Sequence, residues 1–342
     1  MSRIAVIFNP NSRKNRKRPQ GWAERLRHIV ADLGEVHETR ELSQLRPVIE
    51  SALERGVDYI VSDGGDGSLH WAANEALDLL RRLGAPQRLP NLVPTNGGTI
   101  DFVARKVGIT GNAEKILLSL TKSLKRRHPP ELVPIDSLEV TGAIPGPDGR
   151  EEPFRRIGFA LAAGGIGQRF FDKYYREPEP GTRAILSVVL RAVSSYSLAH
   201  MGNWAPEHAV SYGREVFAPT RARVTIDGWS VPCESHGAIH AGSLDVSLAG
   251  LFRVFPLART RGQLHFQAGG IVPREIIRAL PDLYRGRAIK SEHLFEKAGK
   301  EMRVEALGDE LLNPIIDGEI FRGLSHMIVR RGPVIWVPRI SA

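Results

Sequence analysis

The chain has a single cysteine, Cys233, in 342 residues. A disulfide framework is therefore excluded, and the cysteine usage points to a reducing compartment. No apolar run is long enough to cross a bilayer. The longest, Ala184 to Val193, is too short and carries Arg191. The N-terminus enters a strand-like run, Ile4-Ala5-Val6-Ile7-Phe8, without the apolar stretch of a signal peptide, so the expectation is a cytoplasmic protein. Internal repeats and low-complexity tracts are absent. So is a zinc pattern: His236 and His240 alternate on one strand-like segment, but no cysteine or third histidine stands at ligand spacing. No recognition helix and no interleaving of aromatic with basic residues speaks for nucleic acid.

What is present is a hydrophobic fraction of 42%, enough for a sizeable core, and a length that suggests about two domains. The formal net charge is +9, which favours anionic partners such as nucleotides or an acidic membrane surface. Two basic runs carry much of it, Arg13 to Arg18 and Lys122 to His128. They read as solvated loops, as an anion-attracting lip, or as contacts for acidic headgroups at the inner face of a membrane.

The stretch around which the chain is organised is Val61-Ser62-Asp63-Gly64-Gly65-Asp66-Gly67-Ser68-Leu69-His70. A short buried strand precedes it. After it, Leu69, Ala72, Ala73, Ala76, Leu77 and Leu80 recur at helical spacing. Glycines on such a strand-to-helix turn let a ligand approach the backbone, and the helix-opening N–H groups suit phosphate. Ser68 can cap the helix or donate to a phosphate oxygen. Asp66 is out of place in a plain anion cradle and suggests Mg²⁺ or an activated hydroxyl. His70 reads as a surface group.

Other segments build the frame. Asn9-Pro10-Asn11-Ser12 follows the first strand, and Thr95-Asn96-Gly97-Gly98-Thr99-Ile100-Asp101-Phe102 is a second glycine turn opening a helix. Strands alternating with helices to about residue 130 predict a doubly wound α/β domain with both glycine turns at the carboxyl edge. Residues 131–312 predict a β-rich, sandwich-like second domain with a helical insert near Thr182 to Ala199 and a helix after Pro273. Trp204, Tyr174 and Tyr175 flank the insert and read as a lipid cleft or as ordinary packing. Residues 313–342 form a C-terminal segment that carries Asp317-Gly318-Glu319 and is expected to return towards the first domain. Val334 to Val337 is its last strand.

Five of these motifs, in order, resemble the diacylglycerol kinase catalytic family, the lipid kinases that include sphingosine and ceramide kinases. Asn9-Pro10-Asn11-Ser12 is similar to the family's opening turn, and Gly64-Gly65-Asp66-Gly67-Ser68 to its GGDGT motif. Gly97 to Asp101 looks like the third motif, Ile135-Asp136 like the strand that opens the second domain, and Asp317-Gly318-Glu319 like the near-terminal DGE. Two positions depart. Asp101 stands where the family has Asn, and an aspartate cannot donate as an amide does. Arg261-Gly262 stands where many bacterial members carry Asp-Gly near a structural metal.

The resemblance implies an ATP- and Mg²⁺-dependent lipid kinase that phosphorylates a hydroxyl of a diacylglycerol-like or sphingoid lipid at an anionic membrane surface. Asn9, Pro10, Ser12, Gly64, Gly65, Gly67, Ser68, Gly97, Gly98 and Thr99 would hold the nucleotide. Asp66, Asp101 and Asp136 would hold metal and its waters, and Asp317 would be the base, with Glu319 and Asp66 assisting. An NAD kinase-like enzyme, or a non-catalytic nucleotide- or lipid-binding homologue, are the alternatives.

Overall fold

The computed structural model describes residues 3–85, 89–98, 100–179, 181–200, 206–248, 252–285 and 287–340. It has two compact units: Met1–Ile135 together with Pro333–Ala342, and Asp136–Gly332.

The first unit runs β1 (Ile4–Phe8), α1 (Trp22–Val30), β2 (Gly34–Glu38), α2 (Leu45–Glu54), β3 (Tyr59–Asp63), α3 (Asp66–Arg82), β4 (Asn91–Pro94), α4 (Phe102–Lys106) and α5 (Ala113–Lys125). The four strands are parallel, in the order β2-β1-β3-β4. Every residue of β1 and β3 is buried, which is why both read as continuous runs rather than alternations. Helix α1 packs with α5, and α2 with α3. The periodic residues of α3 from Leu69 to Leu80 are all buried. His70 is buried as well, at 2% exposure and edge-on to Trp71, so it is not the surface group its neighbours suggested.

The chain continues through β5 (Leu132–Pro145), β6 (Glu151–Gly158), β7 (Ala160–Gly165), α6 (Ile166–Tyr174), α7 (Thr182–His200), α8 (Glu207–Val216), β8 (Thr220–Ile226), β9 (Trp229–Ser230), β10 (Ser235–His236), β11 (Ala238–Gly242), β12 (Val246–Leu248), β13 (Phe252–Val254), β14 (Leu264–Gly269), α9 (Pro273–Tyr284), β15 (Leu294–Gly299), β16 (Glu301–Ala306), β17 (Ile315–Ile316), β18 (Glu319–Ile320) and β19 (His326–Pro338). One sheet has the order β10-β8-β16-β19-β5-β6, with β9 on β8; the other has the order β15-β14-β11-β7-β17-β18. Val224 and Ile226 from the first, and Ile239, Ala241 and Phe266 from the second, meet in one core. Period-2 alternation is clean in β8, where Arg221 and Arg223 point out while Ala222, Val224 and Ile226 point in.

Several details differ from the sequence reading. The strand expected at Val334 to Val337 is the end of the long β19. Helices α6 and α8 had no counterpart. Gly213, a helix breaker by propensity, sits inside α8 because a side chain there would strike the α7 backbone at Tyr196, and its N–H donates to Ser195 Oγ at 2.8 Å. His236 and His240 lie not on one strand but in two different sheets.

His240 heads a polar row across β11, β14 and β15. Its Nδ1 lies 3.2 Å from Gln267 Oε1, Gln267 Nε2 donates to Glu296 Oε1 at 3.3 Å, and His265 Nε2 lies 2.9 Å from that same oxygen. The Nε2 of His240 is shut off from solvent. Burial pushes its pKa down from 6.5 to about 4. Between those values the unfolded chain binds a proton that the folded chain refuses, so stability rises with pH across the window. Replacing His240 by Asn should flatten the pH slope of the urea-unfolding free energy there, by up to about 1.4 kcal/mol per pH unit. An unchanged slope would mean that His240 titrates normally in the folded protein.

Candidate functional site

In the first unit, the turns after β1, β3 and β4 are laced together. Asn9 N–H donates to Asp63 O at 3.0 Å, and Asn15 Nδ2 donates to both Asn9 O and Asp63 O. Asn9 Nδ2 donates to Ser68 Oγ at 3.0 Å, so Ser68 joins the opening turn to α3 and does not cap the helix. Gly97 N–H donates to Gly64 O at 3.1 Å, and a Cβ on Gly98 would fall 2.5 Å from the Gly65 Cα. The two glycine turns thus approach as only backbone can. Asp66 opens α3, half-buried, among the amides of the first helical turn. Pro10 lies in the β1 turn. The Ser12 hydroxyl oxygen is shut off from solvent without a partner among the described residues, and Thr99 lies outside those residues, as does Trp204.

Asp63 was not singled out by the motifs, yet it ties these turns. Its carboxylate accepts from Thr95 Oγ1 at 2.9 Å and Trp22 Nε1 at 3.3 Å. Burial pushes its pKa up, and the hydrogen bonds from Thr95, Trp22 and Asn15 pull it back part of the way. Its signal in the sequence is an acidic residue ending an otherwise buried strand.

Asp101 adopts φ 50°, in the left-handed region that aspartate tolerates. One oxygen accepts from Gly98 N–H at 2.8 Å and the other pairs with Lys14 Nζ at 2.8 Å. Lys14 also reaches Asn96 O, and its own N–H donates to Gly97 O. Arg16 Nε donates to Asn11 O, and Arg18 lies over the Trp22 ring at 4.3 Å. Lys14, Arg16 and Arg18 of the first basic run are therefore held by contacts within the first unit.

In the second unit, Asp136 accepts from Gly262 N–H at 2.6 Å and pairs with Arg331 at 2.9 Å, with Arg261 at 3.8 Å. Asp101 and Asp136 are thus both engaged by cations of the chain itself. Among the described residues, no three His, Cys, Asp or Glu side chains gather as a metal site.

Asp317-Gly318 is the two-residue turn between β17 and β18, with φ 52° and 93°. Asp-Gly is the preferred pair for such a hairpin. Asp317 Oδ1 accepts from Phe159 N–H at 2.8 Å and Ala160 N–H at 2.9 Å. Glu319 follows, half-buried. The arrangement recurs at Asp227-Gly228, where Asp227 Oδ1 accepts from Lys300 and Glu301 N–H. Anchoring by two amides therefore serves the hairpin in both places. Asp317 differs in being only 9% exposed, whereas the Asp227 side chain is 32% exposed and pairs with Lys297.

A parallel sheet with glycine turns at its carboxyl edge, where such sheets bind ligands, is followed here by an antiparallel sandwich. The family model for the diacylglycerol kinase catalytic domain matches residues 3–129. That stretch is similar to the diacylglycerol kinase catalytic domain. Comparison with curated proteins returned no match. Among solved structures, a candidate diacylglycerol kinase from Bacillus anthracis str. Sterne is 14% identical, with a TM-score of 0.59 over 97% of this chain and 94% of that one. Another diacylglycerol kinase structure from the same organism is 15% identical, with a TM-score of 0.55 over 96% and 93%. Yeast NADH kinase complexed with NADH is 11% identical, with a TM-score of 0.50 over 99% and 84%. Identities this low establish a shared fold. No helix of the described residues is long and apolar enough to cross a membrane.

The Asp136 cluster gives a direct test. Removing one partner of a buried pair leaves an uncompensated charge. Arg331→Met should lower the unfolding free energy by about 2 kcal/mol, the partner arginine being half exposed. Asp136→Asn on that background should recover part of the loss. The wild-type urea midpoint should not move with EDTA, since arginine rather than a metal neutralises Asp136.

Proposed function

We propose that the chain is an ATP-dependent lipid kinase that transfers the γ-phosphate to a hydroxyl of a diacylglycerol-like or sphingoid lipid. The observation that carries this reading is the close approach of Gly64-Gly65 to Gly97-Gly98 beside the first turn of α3, within the stretch that matches the diacylglycerol kinase catalytic domain. Backbone amides of these turns, with the hydroxyls of Ser12, Ser68 and Thr99, would cradle the phosphates, and Asn9, Pro10 and Gly67 shape the cradle. Mg²⁺ would arrive with ATP as part of the substrate, next to Asp66.

Positioning and charge stabilisation supply most of the rate in phosphoryl transfer. Asp317 would accept the proton of the lipid hydroxyl, with Glu319 beside it. The carboxylate suits that task because two amides fix one oxygen and the side chain is largely withdrawn from water. The basic run at Lys122 to His128, with Lys122, Arg126 and His128 around one surface concavity, supports attraction to an anionic membrane. The fold shared with NADH kinase keeps an NAD kinase-like enzyme as the second reading, and the family match over the glycine turns favours the lipid kinase.

The first experiment is labelled ATP with detergent-dispersed diacylglycerol, sphingosine, ceramide and polyprenol, and with NAD as the competing acceptor. A labelled lipid supports the reading, and labelled NAD alone would replace it. Asp66→Asn should abolish transfer while changing stability by no more than about 1 kcal/mol, because it is not core packing. Asp317→Asn should lower kcat by roughly 10²-fold or more. Asparagine also tolerates the left-handed turn and can still accept both amide protons, so the melting temperature and ATP affinity should hold. A melting loss with normal kcat would make Asp317 a turn residue and nothing more.

A further inference from the structure

What distinguishes the two Asp-Gly turns of the second unit is what lies against the glycine. Nothing approaches the position of a Cβ on Gly228, whereas a Cβ on Gly318 would collide with the Tyr175 hydroxyl. Tyr175 follows the last turn of α6, its N–H donating to Phe171 O at 3.0 Å. The residue is 42% exposed, and its ring stacks on Phe171 at 6.1 Å and meets Tyr174 edge-on at 5.1 Å. A partly exposed aromatic residue thus lies against the turn that carries a withdrawn carboxylate.

The placement is over-determined. At the other end of α6, a Cβ on Gly167 would strike His240 Nε2, so that helix rests on the His240 ring without an intervening side chain. The ring is held by the row through Gln267 to Glu296 and His265. Tyr174 is buried against Ala184, Ile185 and Val188 of α7. Helix α6 is therefore seated on a glycine contact at each end, with its inner aromatic in a small core.

We infer that Tyr175, backed by Phe171, is the positioning and selectivity residue for the acceptor lipid. Its hydroxyl rests on Gly318, and its ring face receives the hydrocarbon next to the acceptor hydroxyl, so that the hydroxyl is delivered to Asp317. The inference rests on the lipid-kinase reading and assigns the acceptor wall within it. An apolar chain gains from covering an aromatic face, and a rigid two-torsion side chain loses little entropy in doing so. The preference follows: acceptors with long alkyl chains bind through the ring, and short-chain analogues gain little from it.

The test compares wild type, Tyr175→Ala and Tyr175→Phe. Dioleoylglycerol in mixed micelles and dibutyrylglycerol in solution serve as acceptors, with binding of dioleoylglycerol measured separately from turnover. Tyr175→Ala should raise the KM and the Kd for dioleoylglycerol at least tenfold, leave the ATP KM unchanged, and alter the dibutyrylglycerol KM less than threefold. Tyr175→Phe keeps the ring and should stay within threefold of wild type for both acceptors. Gly318→Ala should lower kcat through the collision and through the strain of a side chain at φ 93°, and adding Tyr175→Phe should restore the collision's share, a rescue that a general loss of packing would not give. Dioleoylglycerol Kd and KM unchanged in Tyr175→Ala, or no dioleoylglycerol binding by wild type, overturns the inference. Wild type that binds dioleoylglycerol in a Tyr175-dependent way but transfers no phosphate upholds the wall and overturns the kinase reading instead.

Discussion

Asp63 is 1% exposed, at the end of a strand whose five residues are all buried. A carboxylate withdrawn to that degree is costly unless donors surround it. Here the donors come from different elements: Trp22 from α1, Thr95 from the turn after β4, and Asn9 and Asn15 onto the carbonyl of the same residue. Meeting the hydrogen-bonding needs of one residue therefore fixes three strand-end turns at once. The approach of Gly98 to Gly65 follows from that fixed geometry. So does the position of Lys14, which reaches Asn96 and Asp101.

The second unit answers a similar need with cations from the chain. Asp136 is 4% exposed and sits between a backbone N–H and two arginines. A guanidinium can serve a carboxylate in a directed, multi-donor way that lysine cannot match. The bonds link the start of the unit to its last residues, 195 positions away in sequence. Charge neutralisation and closure of the unit are the same interaction.

Much of the frame was legible in the sequence because the period of the apolar residues reports burial directly. The stripe of α3 and the alternation of β8 leave little choice of element. The glycine turns were legible because backbone approach is the plain reason to place paired glycines after a buried strand. Helix α6 was not legible: its aromatics cluster at 170, 171, 174 and 175, which reads equally as a cleft or as packing. Helix α8 was hidden by Gly213, whose reason is a neighbouring helix and not its own backbone. The basic partners of Asp101 and Asp136 were not legible, because an acidic residue does not announce its partner. Lys14 and Arg331 lie 87 and 195 residues away from them, and only the folded chain brings each pair together.

The hairpin at Asp317-Gly318 is the shortest connection an antiparallel pair commonly uses. A two-residue loop has no slack, so the direction of its carboxylate is a property of the backbone rather than of the surrounding side chains. One inserted residue would turn β18 over and send Glu319 to the opposite face. The aromatic end of α6 carries no such restriction, since side chains on a helix can be exchanged without shifting its register. The two parts therefore differ in mutational tolerance. A library varied at Phe171 and Tyr175 would sample new walls around a carboxylate that stays in place, and divergence among related chains can follow the same route.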